Sequence, residues 1–114
     1  MSRYRNLAAL TLLIALAMAK HTFAENWVRP FADDAYWWVD LDSAQGDSNG
    51  NRIFKLHMGA NPKGRYDPVM NYTRWAAVNC STATIYHYNE TSKTWDGGDG
   101  GSDFGRAIVP LVCR

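Results

Sequence analysis

Hydrophobic and polar residues alternate with period two along most of this chain. In residues 35–42, Ala35, Trp37, Val39 and Leu41 fall on one side, and Tyr36, Trp38, Asp40 and Asp42 on the other. That is the pattern of a strand with one buried and one wetter face. It is written in aromatic and β-branched residues that suit a pleated surface. Residues 43–51 follow as turn chemistry. Asn49-Gly50 is the strongest hairpin signal among them, because both residues accept positive φ. The alternation returns at 52–58, with Phe54, Leu56 and Met58 against Ile53, Lys55 and His57. A third strand is predicted over 72–80, with Arg74, Ala76, Val78 and Cys80 on one face and Trp75, Ala77 and Asn79 on the other. A fourth covers 83–88, and Thr94-Trp95 begins another. Trp27-Val28 reads as a short first strand ended by Arg29-Pro30, since proline lacks a ladder donor.

The segments between strands are of two kinds. Residues 59–71 form a loop punctuated by Pro62, Gly64 and Pro68 that carries Lys63, Arg65 and Tyr66; residues 96–101 read as a flexible acidic tip. Ser102 or Asp103 is placed to cap a short helix, which Gly105 weakens and Pro110 interrupts. The tail 107–113 is apolar and must be buried, and it alone can cover one apolar face of a sheet. The expected fold is therefore mainly β: a small antiparallel sheet with a short C-terminal helix or irregular segment packed on one face.

Composition adds a compartment. Arg3 and Arg5 precede an apolar run, residues 7–19, whose only polar member is Thr11. The run suits a secretory signal and is short for a membrane span. Cleavage is plausible after Ala19 or after Ala24; the second is preferred, giving a signal peptide over 1–24 and one domain over 25–114. Losing Arg3, Arg5 and Lys20 leaves nine basic residues against all eleven acids, a net charge of about −2. No clustered basic face marks a nucleic-acid partner, and no transmembrane segment remains after cleavage. Cys80 and Cys113 are the only cysteines, so in an oxidising compartment they are expected to pair.

Candidate chemistry is sparse. Trp38, Trp75 and either Tyr86 or Tyr88 fall on the outward face, and on neighbouring strands they would form an aromatic platform edged by Asp40 and Arg74. Such residues suit a protein-binding hot spot or a dimer interface. Asp96, Asp99 and Asp103 match neither calcium-loop template, and no cofactor or metal is expected. His57 and His87 have no nucleophile or carboxylate tied to them by spacing, so a small secreted hydrolase is the weaker alternative and no enzyme is expected. The Asn-x-Ser/Thr triplets at Asn71, Asn79 and Asn89 are assigned no role.

Several of these residues line up with one family. They are Trp27, the Trp37–Ser43 run ending Asp-Leu-Asp-Ser, the strand ending in Cys80, the tyrosines at 86 and 88, Trp95, and a cysteine at the extreme C-terminus. The whole exported region resembles the surface-adhesin protein E family of Gram-negative bacteria. The resemblance implies a sheet tied to a C-terminal helix by the disulfide. It also implies a protein of the outer-membrane surface or periplasm, sometimes dimeric, that binds host proteins such as vitronectin, laminin or plasminogen. A periplasmic envelope accessory protein without a host ligand is the alternative. No adhesive segment matches the family residue by residue, and Pro110 departs from its pattern by shortening the terminal helix.

Overall fold

A computed structural model describes residues 25–114 except 48, 68, 100 and 101. The signal-peptide reading of 1–24 lies outside the described residues. Six strands form one sheet in which each strand pairs antiparallel with the next: β1 (Trp27–Val28), β2 (Trp37–Gly46), β3 (Asn51–Met58), β4 (Tyr72–Asn79), β5 (Ile85–Asn89) and β6 (Thr94–Asp99). One helix, α1 (Asp103–Val112), packs on one face against β2 and β4. The mainly β architecture with a short C-terminal helix is as the alternation predicts.

Register sorts the side chains. Val39 opposes Leu56, Phe54 opposes Ala76, and Val78 opposes both Arg52 and Ile85. These residues share the helix face, where Val39, Phe54, Leu56, Ala76, Val78 and Ile85 pack with Ile108 and Val112 of the helix. The other face carries Ile53, Trp75, Ala77, Tyr86 and Trp95 as a second buried cluster, with Tyr88 against it.

β2 runs four residues further than its pattern suggests. Between Asp40 and Gln45 it carries an irregularity that sets four residues of β2, 41–44, against Phe54 alone on β3. Ser43 stitches this bulge: its hydroxyl donates to the Asp40 carbonyl (2.7 Å) and accepts from the Lys55 amide (2.7 Å). The buried Asp40 carboxylate accepts from the Asn26 and Asp42 amides, at 2.8 and 3.1 Å. The Asp-Leu-Asp-Ser run is thus a strand repair in which side chains replace ladder bonds. After β2 the Asp47 carboxylate accepts from the Asn49 and Asn51 amides, which holds the chain as it turns into β3.

Of the acidic tip, residues 96–99 are also strand, and 100 and 101 lie outside the described residues. β6 reaches Asp99, and its glycine pair accommodates the irregular pairing with β5: Gly97 and Gly98 take φ of 104° and 120°.

The turns before and after β5 repeat one device. The Asn79 side chain accepts from the Ser81 and Thr82 amides, and the Asn89 side chain from the Thr91 and Ser92 amides. Ala83 and Lys93, four residues on, both take φ of 57°, and hydroxyl pairs Thr82–Thr84 and Ser92–Thr94 close each turn. Two of the three Asn-x-Ser/Thr triplets are therefore Asx turns.

The helix forms despite Gly105 and Pro110. Ser102 caps it, its side chain accepting from the Gly105 amide at 3.0 Å. Gly105 is needed for packing, because a Cβ there would overlap the carbonyl of Ala83. Pro110 lies in the last turn, close enough to the end that the helix finishes rather than kinks. Three ties fix the helix to the sheet. Arg52 Nε donates to the Val112 carbonyl at 2.7 Å; Phe104 packs on Trp37 with ring centroids 4.8 Å apart; and Cys113 is disulfide-bonded to Cys80 across a Cα separation of 5.8 Å.

Candidate functional site

The expected aromatic platform does not exist as an exposed surface. Trp75 and Tyr86 are only 3 % and 8 % exposed and belong to the second core cluster. Lys55 lies over the Trp75 ring at 5.9 Å, and Tyr88 packs on Trp95 at 5.2 Å. Trp38 is separated from Trp75 by β3, where it opposes His57 while Trp75 opposes Lys55. Its indole N–H is shared between the carbonyls of Ala35 and Gly59, at 2.8 and 3.0 Å. Arg74 lies on the opposite, helix-bearing face, so it cannot edge that cluster. Alternation reports which side a residue points to; it does not report whether that side is dry. Large rings at adjacent positions made it so here.

Where the sheet does open is between β4 and β5. Their pairing covers only Ala76–Val78 against Ile85–His87, whereas β3 and β4 pair over eight positions. Below Ala76 and beyond His87 the two strands separate. Tyr72–Trp75 retains a ladder partner on β3 alone, and Tyr88 and Asn89 on β6 alone. The gap is an open hollow of about 370 Å³. Tyr72 and Arg74 line it from β4, His87, Tyr88 and Asn89 from β5, and Tyr66 from the 59–71 loop. Glu90 and Asp96 stand on its β5–β6 side.

Arg74 is the unusual member. Its Nε is buried and has no hydrogen-bond partner. Its Nη2 reaches only the Met58 sulfur, at 3.7 Å, and the guanidinium lies 5.8 Å from the Tyr72 ring centroid. No carboxylate among the described residues forms an ion pair with Arg74. A half-buried cation without an anion is costly unless something else meets it.

His87 joins this hollow to a second one of about 260 Å³, lined also by Trp37, Ile85, Ser102 and Phe104 at the start of α1. The 59–71 loop stands beside the first hollow and exposes Tyr66, Val69 and Met70, at 68 %, 75 % and 68 %. Its base is clamped by His57. Nε2 of the buried ring meets Asn71 Oδ1 at 2.6 Å, and Nδ1 meets Thr73 Oγ1 at 2.7 Å. Asn71 Oδ1 only accepts, so Nε2 carries the hydrogen, and the Asn71 amide goes on to the Arg65 carbonyl at 3.1 Å. The third Asn-x-Thr triplet is thus a histidine clamp, and both nitrogens of His57 are engaged in it.

Among the described residues no group of three or more potential metal ligands converges. Asp96 lies within reach of Asn89, and Asp103 pairs with Arg106. No helix among the described residues is long and apolar enough to cross a membrane. Sequence reasoning named Arg74 but missed its setting, because strand separation depends on how far two ladders extend. Searches against family models, curated proteins and solved structures gave no match.

Proposed function

We propose that this protein is an exported, disulfide-stabilised binding module whose ligand is another protein, acting at the surface of a Gram-negative bacterium. The carrying observation is the split between β4 and β5, with the Arg74 guanidinium over the Tyr72 ring in a hollow that Tyr66 also lines. Arg and Tyr are the residues that dominate protein-binding hot spots. The exposed Tyr66, Val69 and Met70 beside it supply apolar contact area that the fold does not use. The Cys80–Cys113 disulfide fits an oxidising compartment. The resemblance to the surface-adhesin protein E family adds vitronectin, laminin and plasminogen as the first partners to try.

The test has two stages. Protease shaving of intact cells should remove the chain, and the purified protein should then bind at least one of the three immobilised host proteins. Changing Tyr66 and Met70 together to alanine should weaken that binding at least tenfold. A chain that resists shaving until the outer membrane is opened would instead be periplasmic, and the accessory-protein reading would take its place.

A further inference from the structure

We infer that the gap between β4 and β5 is a carboxylate-binding site, filled by the C-terminus of an extended peptide lying against Arg74. The inference deepens the protein-binding reading, and rests on it only for the source of the carboxylate.

Three observations converge on that ligand. Arg74 presents a planar, permanently charged group with one buried N–H that has no acceptor, and no carboxylate of the described chain lies within ion-pair distance. That N–H is closed to solvent, so a ligand carboxylate would meet the guanidinium at its Nη edge, where the planar fork favours arginine over lysine. Next, β4 at Tyr72–Trp75 has its ladder partner on β3 alone, and β5 at Tyr88–Asn89 has its partner on β6 alone. An extended backbone entering the gap would meet two strand flanks, as in strand addition to an open sheet edge. Last, the hollow suits one or two residues of peptide. Glu90 and Asp96 on its far side discourage a multiply charged anion and leave room for the N–H donors of a peptide.

The experiment is a nitrogen-15 NMR titration of the protein, produced by export so that its disulfide is formed. The Arg74 Nε–H resonance is followed directly. Three probes are compared: a pool of tetrapeptides with free C-termini, the same pool amidated, and sodium acetate. The expected result is a saturable shift of the Arg74 Nε–H and of the Thr73 and Asn89 amides with the free-acid pool, at least tenfold stronger than with the amidated pool. Arg74→Gln should abolish the amide shifts, and Arg74→Lys should weaken binding several-fold. Should acetate saturate the site as tightly as the peptides, the carboxylate site stands and its ligand is a small acid rather than a protein. No shift of Arg74 with any probe, or peptide shifts that persist in Arg74→Gln, would overturn the site. The shaving and host-binding measurements would then decide the wider reading on their own. Because the wild-type side-chain signal is read directly, the outcome does not depend on any variant folding.

Discussion

The helix-bearing face of the sheet has two halves, built on the same β4 and β5, that behave oppositely. In one half Ala76, Val78 and Ile85 meet Ile108 and Val112 of α1, and all five are buried. In the other, Tyr72, Arg74 and Asn89 line an open gap. The boundary is the Ala76–His87 pair, the last rung of the β4–β5 ladder. Both halves keep the period-two pattern, so side-chain direction does not separate them. Residue type and ladder length do. Small and aliphatic side chains let the helix settle and the strands pair. A guanidinium and rings at the same parity keep the helix off, and the strands part. A small domain has little stability to spare, so an open half of this kind has to be supported by the closed one.

The sharpest way to break that contrast is to damage the closed half. Phe54 is fully buried under the helix. Phe54→Ala should cost about 3–5 kcal/mol and unfold much of the population near body temperature, seen by thermal denaturation. A loss under about 1 kcal/mol would mean that the closed half is not the stabilising one. Reducing the disulfide comes next. It closes a loop of sequence separation 33 and holds the end of α1 against the sheet. Reduction should remove about 3–4 kcal/mol and lower Tm by more than about 10 °C. Trp37, which packs on Phe104 of the helix, should respond in fluorescence, while Trp75, in the cluster on the opposite face, should keep its signal until global unfolding.

A smaller effect sharpens the account of how the helix seats. Helix propensity alone predicts that Gly105→Ala stabilises by about 1 kcal/mol. Contact with the Ala83 carbonyl predicts the opposite sign, a loss of about 1–3 kcal/mol from overpacking. Urea denaturation decides between them by sign alone.

Much of the fold could be read from the residues. The alternation in Trp37–Leu41, Phe54–Met58 and Ala76–Val78 identified the face on which the helix lies, because an apolar parity must be covered. The two cysteines, alone in the chain, named their own partner. What escaped was of three kinds. Ser43 looked like a turn residue, and Asp40 like the wet face of a strand, because side chains that repair a bulge have the same chemistry as side chains that make a turn or meet water. Asp96–Asp99 looked like a loop because glycine has no β propensity, yet pairing with β5 carries it. Trp75 and Tyr86 looked outward, and so exposed, because parity was read as solvation. At the site, Arg74 was visible by type and invisible by circumstance. Its significance comes from what is not beside it, and a sequence does not show which carboxylates come near.

The smallest expected effect bears most directly on the open half, and its sign matters more than its size. Arg74→Met keeps a stem of similar length and removes the buried Nε that has no acceptor. If the guanidinium is kept for a ligand, its desolvation is uncompensated in the free protein, and the methionine variant should be more stable by about 0.5–1 kcal/mol. The same variant should lose the carboxylate-dependent shifts. If instead the guanidinium is a structural strut, held by the Met58 sulfur and the Tyr72 ring, Arg74→Met should destabilise by a comparable amount. Chemical denaturation of the two proteins side by side resolves a difference of that size when the unfolding slopes are equal. A gain in stability joined to a loss of binding would show that the open half is a site maintained at some cost to the fold. A loss of stability would make the gap a consequence of packing and nothing more.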